Sequence, residues 1–266
     1  MPKHWHVRRR VVVKSDLSNF LDSTDEKTDF LSVLPVSVID IEPQKKRKNE
    51  DHNKQSSRAS YSPFPEEIAT LCCEFFLRDA TTIFDPFAGW GERHKAAKDS
   101  GKNYIGYDIS QVAIDKAFVD YGVKNILADS RKVDPPVFDG LLTCPPYWNL
   151  EKYDSSEGID RDKTWPEFVQ HLEDVFKLAY DKAKKETTLC VMVGDWRSKG
   201  VYYDLEYEVS RMFKGFGATI IDKVVVSRKK ISKIKIMLPQ CKRLGYSVRV
   251  HENLLVFKKN EKLSVS

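Results

Sequence analysis

The sequence predicts an α/β fold: a doubly wound, mostly parallel sheet with an antiparallel strand near its C-terminal end. Three observations predict it. From residue 81 onward, short apolar runs alternate with segments of helical spacing, the pattern of a parallel sheet covered by helices on both faces. Most of the apolar runs close on Asp, Gly or Pro, residues that stop a ladder or turn the chain. The last two runs, ATIIDKVVV (218–226) and VRVHENLLVFKK (248–259), read as strands and as an antiparallel pair.

At 266 residues the chain can bury a sizeable core. One large domain is expected at 61–266, preceded by a partly flexible, basic N-terminal extension at 1–60. Hydrophobic residues make up 41% and charged residues 31%, an ordinary globular balance. No apolar run reaches the length of a membrane span, so no membrane partner is expected. The basic start MPKHWHVRRRVVV is too short in apolar residues for a signal segment. Five cysteines (Cys72, Cys73, Cys144, Cys190, Cys241) lack CxxC spacing, and the odd count fits a reduced compartment, cytosol or nucleoid, with no metal site.

Within 1–60, Val7–Val13 and Val33–Ile41 read as strands, and 43–60 as a polar, serine-rich mobile connection. Ser62-Pro63-Phe64-Pro65 then opens an amphipathic helix, EEIATLCCEFFL, with two acids in its first turn. Next come a strand at 81–87, a helix near 91–100, the strand YIGYDI (104–109) and a helix near 111–121 stopped by Gly122. A short strand NILAD (125–129) and the strand FDGLLTCPPY (138–147) follow. Trp165–Lys185 has helical spacing, TTLCVMVGD (187–195) is a buried strand, and a helix lies near 203–214. The basic and apolar segment 227–249 reads as a loop or hairpin.

The chain is organised around TTIFDPFAGWGE (81–92). Thr81 to Phe84 suit a buried strand, and Asp85-Pro86 ends its ladder. Phe87 and Ala88 lead into Gly89 and Gly91, which allow a tight turn and close approach to a ligand. A dinucleotide site wants a third glycine, which is missing here, and Glu92 at the helix start would repel a pyrophosphate. A sulfonium cofactor carries a cation and no phosphate, so acidic residues suit it better. Asp108 ends the next strand, where a carboxylate accepts hydrogen bonds from ribose hydroxyls. Asp129 ends the third, placed to accept from an adenine amino group.

The second signal is Cys144-Pro145-Pro146-Tyr147. Two prolines at a strand end remove two N–H donors and stiffen the backbone, leaving carbonyl acceptors suited to an –NH₂ group. Tyr147 offers a flat face for a base, a contact of about 1–3 kcal/mol in nucleic-acid systems. A purely structural proline turn is the plainer alternative.

DPFAGWG and CPPY, in this order and spacing, resemble motifs I and IV of the S-adenosylmethionine-dependent amino-methyltransferases that modify adenine N6 or cytosine N4 in DNA. The likeness runs from about Tyr61 to Lys259, with a gamma-like motif order. It implies a Rossmann-like methyltransferase fold, S-adenosylmethionine as cofactor, DNA as partner and a restriction–modification setting. It further implies a cofactor site built from Ser62, Pro63, Phe64, Asp85, Pro86, Phe87, Ala88, Gly89, Gly91, Asp108, Ile109, Asp129 and Ser130. The implied catalytic set is Cys144, Pro145, Pro146 and Tyr147. Cys144 departs from the Asp, Asn or Ser of the family, and sulfur accepts hydrogen bonds weakly. A cysteine nucleophile of the C5-methyltransferase kind would follow a proline, whereas Cys144 precedes one.

The charge is unevenly placed. Residues 228–259 hold ten Lys/Arg against the single acid Glu252, a footprint for a polyanion. Arg228, Lys229, Lys230, Lys233, Lys235, Lys242 and Arg243 are therefore candidate phosphate contacts; the alternative is a soluble sheet edge guarded by lysines. Two further functions stay open on the residues alone: methylation of RNA or a protein amide, and a non-catalytic DNA-binding module on the same fold. Oligomeric state and target base are not readable.

Overall fold

In the computed structural model, residues 35–41, 63–148, 158–161, 164–198, 200–228 and 234–260 are described, without the side chains of 160 and 234–236. The expected strand at Val7–Val13, the connection 43–60, and Ser62, Lys229, Lys230 and Lys233 lie outside the described residues. Those that are described fall within one unit, 32–266.

The chain begins with strand β1 (Val38–Ile41), helix α1 (Glu66–Leu71) and a π-helical turn at Cys72–Phe76. Strand β2 (Thr82–Asp85), α2 (Glu92–Asp99), β3 (Asn103–Asp108), α3 (Gln111–Tyr121) and the short β4 (Ile126–Leu127) follow. Then come β5 (Phe138–Thr143), α4 (Trp165–Lys182) and β6 (Ala183–Val193). A hairpin of β7 (Trp196–Ser198) and β8 (Val201–Tyr203) precedes α5 (Leu205–Gly215), β9 (Ala218–Arg228), α6 (Ile234–Leu244) and β10 (His251–Lys259).

Eight strands form one sheet in the order β1-β9-β10-β6-β5-β2-β3-β4. The pairings β2–β3, β2–β5, β3–β4, β5–β6 and β1–β9 are parallel, and β10 runs antiparallel to both β6 and β9. The fold is thus doubly wound and Rossmann-like, with the antiparallel strand inserted between β6 and β9. The expected strand at 33–41 is real over Val38–Ile41 and joins the sheet beside β9.

Each face of the sheet buries its own core. Phe84, Phe138, Phe168, Phe176, Phe213 and Phe257 pack on one side; Ile68, Leu71, Ile83, Leu142, Met192 and Leu254 pack on the other. Successive strand residues point to opposite faces, so Ile83 and Phe84 serve different cores, which is why these strands read as unbroken apolar runs. Local chemistry sets the helix starts. Ser110 Oγ accepts from Ala113 N (3.2 Å), and Thr164 and Glu167 form a reciprocal capping box.

Two stretches differ from expectation. Segment 227–249 contains helix α6 in place of a loop or hairpin: Ile-Lys-Ile-Met-Leu alternates, but Ile234, Leu238 and Cys241 also satisfy a helical repeat, and Cys241 is buried at 4% exposure. The hairpin β7–β8, with Arg197 opposite Tyr202, was not expected, because three-residue strands leave too short a pattern.

Candidate functional site

β2 and β5 are neighbours, with Phe84 paired to Leu141, so their carboxyl ends lie side by side where the strand order reverses. Open α/β sheets bind ligands in the crevice at this point. Both signal turns leave from here.

Asp85 anchors the first turn. Its fully buried carboxylate accepts four hydrogen bonds: Oδ1 from Phe87 N (2.9 Å) and Thr143 Oγ1 (2.6 Å), Oδ2 from Arg93 Nε (2.6 Å) and Tyr104 Oη (2.6 Å). A buried charge persists only when paired and hydrogen-bonded in this way. Burial alone would make the Arg93 guanidinium easier to deprotonate, but the Asp85 carboxylate outweighs it and raises its pKa above the ordinary arginine range. Arg93 Nη2 also donates to the Phe87 carbonyl (2.5 Å), tying the helix start to the turn.

Gly89 and Gly91 both adopt left-handed backbone, with φ of 57° and 95°. A Cβ at Gly91 would stand 2.7 Å from Ala117 Cβ, so this glycine lets α2 and α3 approach each other. A Cβ at Gly89 would meet nothing nearer than 3.9 Å, so this glycine keeps space open. The Gly89 N–H donates to Asp108 Oδ2 (2.7 Å), and the Ser110 N–H to Asp108 Oδ1 (2.8 Å). Burial lifts the Asp108 carboxyl above its usual range, although these two N–H bonds pull it down. Asp129 is pulled the other way: burial would raise it, but Arg131, at 2.8 Å from Oδ2, holds it below the usual carboxylate range. Ser130 Oγ donates to the Pro86 carbonyl (2.7 Å), linking the third strand end to the first turn.

The second turn is braced from β10. Tyr147 Oη donates to Glu252 Oε1 (2.7 Å), and Glu252 Oε2 accepts from Arg228 Nε (2.9 Å) and Nη2 (2.6 Å). Trp196 meets the Tyr147 ring edge-on at 5.8 Å and 82°. Cys144 Sγ lies 4.0 Å from the Pro145 carbonyl oxygen.

The two turns open on one cleft of about 1140 Å³, counting the solvent in its mouth. Pro63, Phe64, Pro86, Phe87 and Gly89 line it together with Asp108, Ile109, Asp129 and Ser130, and so do Cys144, Pro145, Pro146 and Tyr147. A model of the DNA methylase family (N6_N4_Mtase) matches residues 3–119 and 138–265.

The chain belongs to the DNA methylase family.

Among known proteins, it is similar to the type II methyltransferase M.SmaI of Serratia marcescens, 30% identical over 81 residues. That match covers 29% of this chain and 28% of M.SmaI. TrmN from Thermus thermophilus has a similar structure at 15% identity and TM-score 0.47, over 74% of this chain and 49% of TrmN. A methyltransferase from Clostridium acetobutylicum follows at 13% identity and TM-score 0.46, over 75% of this chain and 93% of its own. The chain thus spans about half of TrmN and little more than a quarter of M.SmaI.

Three expected cofactor residues among those described do not line the cleft. Asp85, Ala88 and Gly91 stand behind its wall, where they shape the turn. Arg228, expected on a phosphate-binding surface, lines the cleft and is ion-paired with Glu252; burial would make it easier to deprotonate, but Glu252 prevails and keeps it charged. Lys242 and Arg243 are exposed on the last turn of α6, and Lys235 lies in its first turn. Residues not foreseen in the cleft include Trp90, Arg93, Arg131 and Glu252, while Glu92 lines it at the helix start as the sequence suggested. Glu252 carried a signal, as the lone acid among the ten basic residues of 228–259.

Proposed function

We propose that this protein is a DNA methyltransferase that moves a methyl group from S-adenosylmethionine to an exocyclic amino nitrogen, adenine N6 or cytosine N4, of a base flipped out of the duplex. The observation that carries this reading is the sharing of one cleft by the Gly89 turn and the Pro145 turn. The donor fits the residues present. Acidic Glu92, Asp108 and Asp129 line its half of the cleft, and Gly89 leaves room where a side chain would intrude. When bound, S-adenosylmethionine supplies an electrophilic methyl on a sulfonium centre. Asp108 is assigned to the ribose hydroxyls, Asp129 and Ser130 to the adenine edge, and Pro63, Phe64 and Phe87 to apolar contacts around the cofactor.

An exocyclic amine is a poor nucleophile because its lone pair is delocalised into the ring. Acceptors on both of its N–H groups favour the pyramidal form whose lone pair can attack. The Pro145 carbonyl, to which the Cys144 thiol donates at 4.0 Å, is assigned as one acceptor and Cys144 Sγ as the other. The carbonyl is the stronger of the two acceptors. Tyr147 stacks on the base with its ring held by Glu252, and the surrounding apolar wall excludes water. Catalysis here is orientation and electrostatic complementarity. A paired base cannot enter such a cleft, so flipping is required.

The test is isothermal titration with S-adenosylmethionine, followed by methyl transfer to duplex DNA and mass spectrometry of the digested nucleosides. N6-methyladenine or N4-methylcytosine is the expected product. Cofactor binding with transfer only to RNA or protein, or 5-methylcytosine as product, would overturn the reading.

A further inference from the structure

The hairpin β7–β8 has two unlike faces. Its inner face sets Trp196 against Tyr203 (5.4 Å, nearly parallel) and packs both on Trp165, with Trp196 reaching Tyr147 of the cleft. The outer face carries the cross-strand pair Arg197 and Tyr202. There the Arg197 guanidinium lies 4.8 Å from the Tyr202 ring centre and 4.8 Å from that of Tyr246, which follows α6. Arg249 also sits over Tyr202 at 4.8 Å, but it is neutralised by Asp195 (2.6 Å), which accepts from the Tyr202 hydroxyl as well (2.8 Å). Arg197 is exposed and has no acidic partner among the described residues. Lys242 and Arg243, exposed just before Tyr246, add positive charge nearby.

We propose that Arg197, held by Tyr202 and Tyr246 beside the cleft, is a DNA-gripping residue that donates its guanidinium edge to the strand flanking the flipped base. Aromatic rings cover the flat faces of a guanidinium and leave its N–H edge available, and a fixed orientation removes much of the entropy cost of forming a fork of two hydrogen bonds. Two DNA groups offer the matching pair of acceptors, a phosphate and the O6/N7 edge of guanine. Lysine lacks the planar fork and would match neither as well. The inference rests on the DNA-methyltransferase reading above.

The experiment measures binding of a randomised DNA duplex library by the full chain, as wild type, Arg197→Ala and Arg197→Lys, with sequencing of the retained duplexes. Thermal midpoint and S-adenosylmethionine affinity are recorded for each. Arg197→Ala should bind roughly ten-fold more weakly with both control values unchanged, and with a salt slope reduced by about one where the acceptor is phosphate. Arg197→Lys should recover only part of the loss. A lost preference for guanine identifies the base edge; a uniform loss identifies phosphate. Equal affinity of wild type and Arg197→Ala overturns this inference alone. A wild-type protein that binds the cofactor but no duplex overturns both it and the DNA reading.

Discussion

The Tyr147 hydroxyl lies 2.7 Å from Glu252 Oε1, joining the turn after β5 to β10 across 105 positions of sequence. This bond fixes the ring assigned to the target base, and Glu252 is itself held by Arg228. Tyr147→Phe keeps the ring and loses the anchor, so methyl transfer should fall about five- to ten-fold, the worth of one hydrogen bond of about 1 kcal/mol. Tyr147→Ala removes the platform, and transfer should fall by roughly 10–100-fold, in line with the loss of base stacking. Cofactor affinity measured by calorimetry should stay at the wild-type value in both. A matching loss of cofactor affinity would place Tyr147 on the donor side.

Asp85→Ala should act through the fold. It strips four donors of their acceptor and leaves Arg93, 6% exposed, without its counter-ion. Breaking one partner of a buried pair costs about 3–5 kcal/mol, read as a lower urea midpoint. Cofactor binding should be lost as a consequence. The double variant Asp85→Ala/Arg93→Ala should be less destabilised than the sum of the single changes, since the charge left unpaired by the first is absent.

The two glycines of the first turn should separate fold from binding. Gly91→Ala forces a Cβ to within 2.7 Å of Ala117 Cβ at φ 95°, so it should destabilise by about 1–3 kcal/mol. Gly89→Ala has space for its Cβ and carries the backbone cost alone, about 1–2 kcal/mol. Gly89→Val adds two methyl groups beside the cleft and should abolish cofactor binding. Circular dichroism melts and calorimetry on all three distinguish these effects.

Asp139 predicts acid behaviour. Its carboxylate ties β5 to the start of β2 by accepting from Thr82 N (2.7 Å), Thr81 N (2.9 Å) and Thr81 Oγ1 (2.8 Å), with Lys184 at 3.1 Å. Burial would raise its pKa, but these donors win and bring it to about 2. A depressed carboxyl pKa contributes stability that is fully present above its unfolded value near 4 and is lost as pH falls toward 2. Urea midpoints between pH 5 and pH 2 should fall less steeply in Asp139→Asn than in wild type.

The order of strands and helices was legible because each buried strand announces itself as an apolar run and ends on a ladder-breaking residue. The cleft was legible for a related reason: Gly89, Asp108, Asp129 and Pro145 all sit at strand ends, and in a parallel sheet those ends gather on one edge. Side-chain direction was not legible. Asp85 lies four residues before Gly89 yet points into the protein, because Thr143, Arg93 and Tyr104 come from three other elements to meet it. Arg228 looked like one more member of a basic run, and only β10 pairing beside β9 sets it against Glu252. Helix α6 was missed because a stretch rich in isoleucine and lysine satisfies a period of two and a helical period at once.

Of the described strands, β10 is the last to leave the ribosome, yet it lies inside the sheet, between β6 and β9. Until residues 251–259 have emerged, β6 and β9 have no strand to bridge them, and Tyr147 has no carboxylate to hold. The Gly89 turn is therefore synthesised more than a hundred residues before the strand that anchors Tyr147.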